Sequence, residues 1–98
     1  MDLDQARRLM ADLPDWDLAA SGKEIRRRFA LKGFAPAVEM ANLAAWLGNR
    51  QGHHPDIAFG WGYCRVTFST HAAGGLTRND FICAARLDAL LAPGQGGV

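Results

Sequence analysis

The chain has three histidines, and all of them fall in two places. His53 and His54 stand side by side before Pro55, and His71 closes the run Ser69-Thr70-His71. Imidazole is the side chain whose unperturbed ionisation lets it give and take protons near neutral pH. No carboxylate–histidine motif of known metal spacing accompanies the three, so they suit proton transfer better than metal binding. No metal and no cofactor are expected.

The elements that must position these rings can be read from apolar spacing. Asp2 or Asp4 caps a first helix within residues 1–13, where Leu3, Ala6, Leu9, Met10 and Leu13 repeat at helical spacing. Trp16 to Ala20 and Glu24 to Leu31 read as two strands around the turn Ser21-Gly22-Lys23. After Gly33-Phe34-Ala35-Pro36, an alanine-rich helix is predicted from Ala37 to about Arg50, with proline suited to a first turn and Gly52 to a left-handed stop. Its wide apolar surface implies extensive burial, and its small residues permit close approach.

Ile57 to Phe59 reads as a third strand. Tyr63 to Thr70 is the clearest one, because Cys64, Val66, Phe68 and Thr70 share a face while Tyr63, Arg65, Thr67 and Ser69 share the other. Thr77-Arg78-Asn79-Asp80 has the form of a capping box for a last helix running to about Leu91, with Phe81, Ala84, Ala85 and Leu87 or Leu91 for the core. The order α-β-β-α-β-β-α gives an α+β fold: two layers, with helices on one face of a four-stranded antiparallel sheet. Residues 1–98 are read as one domain, with 93–98 a flexible tail.

Composition narrows the function classes. Ninety-eight residues with a formal net charge of +1 lack the basic excess of an electrostatic nucleic-acid binder. The run Arg26-Arg27-Arg28 alternates along a strand, so a solvated or inter-subunit role is expected for it. Cys64 and Cys83 each lie in apolar surroundings, as buried free thiols do, and form no disulfide or zinc framework. The acidic N-terminus lacks a signal-peptide pattern, and no segment approaches the ~20 apolar residues of a membrane span. A cytoplasmic protein is expected.

The histidines have a local setting. His53 and His54 follow a helix end, whose partial negative charge favours a proton-carrying ring. Pro55 biases His54 away from helical angles. His71 ends the strongest strand, and Asp80 opens the last helix. A proton donor, a second imidazole and a carboxylate together could serve the elimination of water. The plainer readings stand beside this one: a surface role for His54, a simple cap for Asp80, solvation for Asn49 and Arg50, packing for Trp61.

These residues, in this order, resemble the pterin-4a-carbinolamine dehydratase family. The resemblance is carried by His53-His54-Pro55, Ser69-Thr70-His71 and Gly75-Leu76-Thr77-Arg78-Asn79-Asp80. Phe29-x-Leu31-x-x-Phe34 upstream and Phe81-Ile82-x-Ala84-Ala85 downstream fit the same pattern. It extends from Trp16 to about Leu90. It implies the fold already read and a homodimer or dimer of dimers built through sheet edges and the central helix. The implied activity is the dehydration of 4a-hydroxytetrahydrobiopterin to quinonoid dihydropterin, in recycling coupled to an aromatic amino-acid hydroxylase.

Under that resemblance, His53 and His71 match the acid/base histidines, and His54 matches the one that binds and orients the pterin. Asp80 matches a carboxylate of the pocket wall; Ser69 and Thr70 match the strand end that lines the pterin ring. Pro55, with Ile57 and Trp61, would supply apolar walls for a flat heterocycle. The chain departs from the family at Asn49, where many members carry glutamate, at Gly52, often acidic, and at Trp61, where some have tyrosine. The missing carboxylate is expected to be felt beside His53. An alternative is a non-catalytic dimerisation, assembly or transcription-coactivator protein of the same fold; another is the same chemistry on a different pterin. Neither nucleic acid nor membrane is expected as a partner.

Overall fold

The computed structural model describes residues 1–92, so the tail expected over 93–98 lies outside the described residues. The elements are α1 (Leu3–Met10), β1 (Asp17–Leu18), β2 (Ile25–Ala30), α2 (Phe34–Gln51), β3 (Asp56–Gly60), β4 (Tyr63–Phe68) and α3 (Arg78–Leu91), with a short 3-10 turn at His71–Ala73. The four strands form an antiparallel sheet in the order β1-β2-β4-β3. The α-β-β-α-β-β-α order and the α+β architecture are as the sequence predicts.

Register explains which face is covered. Ile25 pairs with Phe68, Arg27 with Val66 and Phe29 with Cys64. Ile57 and Phe59 continue the same face from the edge strand β3. Against it pack Met40, Ala41, Ala44 and Leu47 of α2 and Phe81, Ala84 and Leu87 of α3. Burial of a side chain such as Phe68 or Leu87 contributes about 1.5–3 kcal/mol. The opposite face presents Arg28, Arg65 and Asp56 to solvent, so the helices lie on one side only.

Boundaries shift for local reasons. Helix α2 starts at Phe34, three residues before the predicted Ala37, because Gly33 turns the chain at φ 130° and Pro36 falls within the first turn, where no N–H is needed. Strand β4 ends at Phe68, and Thr70 instead pairs with Gly75 as an isolated bridge. Strand β1 is only Asp17–Leu18, since Trp16 turns into the core. On α3, Ala85 and Leu91 are exposed, leaving Phe81, Ala84 and Leu87 to fill the interior.

The arginine run, expected to be solvated or inter-subunit, divides: Arg28 is exposed, whereas Arg27 is held within the chain. Arg26 bonds Glu24 at 2.6 Å, and Arg28 lies over the Tyr63 ring. Arg27 sits on the covered face, stacked on Phe29, with its Nη1 donating to Asp88 Oδ1 at 2.7 Å. Asp88 also accepts from Trp16 Nε1 at 2.9 Å. A charged residue tolerates that position because a carboxylate on α3 answers it.

Candidate functional site

His53 is positioned by the end of α2. Gly52 adopts φ 63°, the left-handed conformation that a glycine takes without steric cost. The His53 backbone N–H then donates to the Gly48 carbonyl at 3.0 Å, and the Gly52 N–H to that of Asn49. This double closure satisfies helix-end carbonyls and fixes the exit direction of the chain. Gly48 lets the exit fold back, since a Cβ there would sit 2.7 Å from Pro55 Cδ. The half-buried Pro55 therefore packs on the helix it has just left.

The His53 ring is held on an edge and a face. Its Nε2 lies 2.5 Å from Asp80 Oδ1, and its plane stacks within 10° of the Phe68 ring at 6.1 Å between centroids. Asp80 is fully buried at the N-terminus of α3, where the helix dipole favours a carboxylate. Its Oδ2 accepts from the Thr70 hydroxyl at 2.8 Å and from the Thr77 backbone N–H at 2.9 Å. The Thr70 and Thr77 hydroxyls are themselves 2.9 Å apart. An ionised carboxylate only accepts hydrogen bonds, so this network assigns the His53 proton to Nε2. Nδ1 has no hydrogen-bond partner among the described residues and is not one of their buried atoms.

The other two histidines have different surroundings. His54 is exposed, with Nε2 3.0 Å from Asn49 Oδ1. Asn49 therefore touches His54, and the carboxylate beside His53 comes from Asp80. His71 opens the 3-10 turn and is exposed. It lines an open hollow of about 340 Å³ with Lys23, Glu24, Ser69, Thr70 and Gly75. His53 and His54 do not line that hollow; Thr70 connects the two places, through its hydroxyl to Asp80 and through its sequence neighbour to His71. Trp61 stands 75 % exposed in the β3–β4 turn, outside the hollow. Ile57 faces the sheet core opposite Val66.

Sequence reasoning gave Thr77 only a capping role and gave Phe68 only a core one. The Thr-x-x-Asp spacing was the available signal for Thr77, because a residue that caps with its main chain can also hold the acid three places on. Nothing in the sequence signalled the stacking of Phe68 on His53. Burial raises both thiols, Cys64 and Cys83, above the ordinary thiol range; at Cys83 the Asp80 carboxylate adds to the effect and Arg86 opposes it. Neither is a ready nucleophile. No group of three or more histidine, cysteine, aspartate or glutamate side chains among the described residues could hold a metal ion. No helix among them is long and apolar enough to cross a membrane.

Comparison with known proteins matches residues 1–90 to the family described as pterin 4 alpha carbinolamine dehydratase. A protein of Paracoccus denitrificans (strain Pd 1222), provisionally named a pterin-4-alpha-carbinolamine dehydratase, is 60% identical over 80 residues, covering 82% of this chain and 75% of that one. A Legionella pneumophila (strain Corby) protein with the same provisional name is 44% identical over 89 residues, covering 90% of this chain and 79% of its own length. Among solved structures, a transcriptional coactivator/pterin dehydratase from Brucella melitensis superposes with a TM-score of 0.84 at 24% identity, over 94% of this chain and 98% of that one. A pterin dehydratase-like protein identified as a RuBisCO assembly factor in the alpha-carboxysome gives 0.63 at 26% identity, over 84% and 90%.

Proposed function

The chain belongs to the pterin 4 alpha carbinolamine dehydratase family, and on that premise we propose that it removes water from 4a-hydroxytetrahydrobiopterin to give quinonoid dihydropterin. The observation that carries the reading is the His53 ring clamped by a fully buried carboxylate at Nε2, with Nδ1 open. In the reaction the C4a–O bond breaks as a proton reaches the departing hydroxyl. The N5–H proton is removed, and its electron pair forms the C4a=N5 bond. Two proton transfers need two groups, and His53 and His71 are those groups.

Asp80 holds His53 in one tautomer and stabilises the ring when it carries two protons. His54, held by Asn49, orients the pterin; Pro55 and Ser69 bound its site. A positioned acid or base typically gives about 10²–10⁴ in rate, or about 3–5 kcal/mol of barrier. No step calls for a metal or a cofactor. The protein works in the cytoplasm, beside an aromatic amino-acid hydroxylase that makes the carbinolamine. It self-associates through the β3 edge and α2, where Phe34, Phe59 and Trp46 remain exposed.

The test is direct. Purified protein should accelerate decay of the carbinolamine absorbance formed by a turning-over phenylalanine hydroxylase, and His71→Ala should remove most of that acceleration. Decay at one rate with and without the protein would favour a non-catalytic assembly or coactivator role.

A further inference from the structure

We infer that Thr70 is a positioning residue that sets both proton-transfer histidines through one side chain and its own backbone. This rests on the dehydratase reading above but assigns Thr70 a different task from lining the pterin ring. Its hydroxyl has one proton, and the Asp80 Oδ2 contact at 2.8 Å takes it. The Thr77 hydroxyl, 2.9 Å away, then donates to Thr70 Oγ1. The donor is therefore committed to a carboxylate that is closed to solvent. A substrate would have to break that bond to receive it, at the cost of leaving a buried charge short of a partner.

The backbone of Thr70 serves the other histidine. Its N–H donates to the Gly75 carbonyl at 3.0 Å, and its carbonyl accepts from Ala73 at 3.0 Å and from Gly75 at 3.3 Å. These bonds close the short loop that carries His71. Thr70 thus fixes Asp80, and through it the Nε2–H tautomer of His53, while anchoring the turn from which His71 projects. Ser69 and Gly75 share the hollow with Thr70 but make no hydrogen bond to Asp80.

The experiment compares the full chain carrying Thr70→Val, Thr70→Ala and Thr70→Ser with wild type. Thr70→Val keeps the branched shape and backbone bonds but removes the donor; Thr70→Ser keeps the donor. The fall in activity should be about 10-fold or more, within the roughly 10²–10⁴ that a positioned acid or base supplies, and it should lie in kcat with KM unchanged. Thr70→Ser should recover most of kcat. ¹⁵N NMR of the His53 ring supplies a readout that needs no activity. Wild type and Thr70→Ser should share one Nε2–H resonance position, whereas Thr70→Val should move it, because the carboxylate that accepts from Nε2 has lost one of its donors. Thr70→Ala gives the same readings should the valine not fold.

A rise in KM at constant kcat would make Thr70 a substrate contact and overturn the inference. So would an unchanged His53 signature in the valine and alanine variants. Absence of activity in wild type itself would refute the dehydratase reading, and the NMR comparison would still decide whether Thr70 positions the Asp80–His53 pair.

Discussion

Two aspartates sit on α3, about two turns apart, and each is held by groups from distant parts of the chain. Asp80 is fully buried and meets His53, Thr70 and Thr77. Asp88 is half-buried and meets Arg27 and Trp16. Asp88 is answered by a permanent cation and an indole N–H, neither of which exchanges protons near neutral pH. Its network ties α3 to β2 and to the segment before β1. Asp80 is answered by the one side chain that does exchange protons there. Similar numbers of hydrogen bonds thus build a brace at one end of the helix and a proton relay at the other. The partner's chemistry decides the difference.

That contrast can be broken or sharpened by substitution. The largest expected stability effect is at the Asp80 end: His53→Ala leaves a buried carboxylate without its ring partner and should cost about 3 kcal/mol, read from urea unfolding, together with nearly all dehydratase activity. Gly48→Ala forces a Cβ against Pro55 and should cost about 2 kcal/mol by overpacking. Because it displaces the turn bearing His53, activity should fall more than the folded fraction does. Asp88→Asn should cost about 1 kcal/mol, since its ion pair is partly screened by solvent, and the folded fraction should retain wild-type kcat.

The smallest effect concerns the buried thiols. Burial keeps Cys64 and Cys83 protonated in the native state to higher pH than in the unfolded chain. The unfolded state then binds fewer protons in that window, so stability is present below the ordinary thiol range and falls as pH rises through it. The urea midpoint should decline there in wild type and decline less in a Cys64→Ala, Cys83→Ala double variant. A double variant with the wild-type slope would assign the decline to other groups.

Much of the fold was legible because it rests on local signals. Gly52 stops α2 where its left-handed preference said it would, and the alternation of Cys64, Val66 and Phe68 marks the covered face of β4. Sequence spacing also singled out His53 and Asp80. It did not pair them, because the contact spans 27 residues and depends on how α2 and α3 dock on the sheet. The partner of Arg27 was illegible for the same reason: Asp88 is 61 residues away, and only tertiary structure makes a covered position tolerable for it. Thr70 was legible as the end of a strand, but its departure from the sheet toward Gly75 and Asp80 follows from the loop that it closes.

The account stands most directly on dehydration rates of Asp80→Asn and Asp88→Asn, measured side by side with the carbinolamine and normalised to folded protein. We predict that Asp80→Asn loses about 10²-fold or more of kcat, the size of a positioned proton-transfer group, while Asp88→Asn matches wild type. Equal losses in the two variants, or full activity in Asp80→Asn, would contradict a proton relay built on His53 and Asp80.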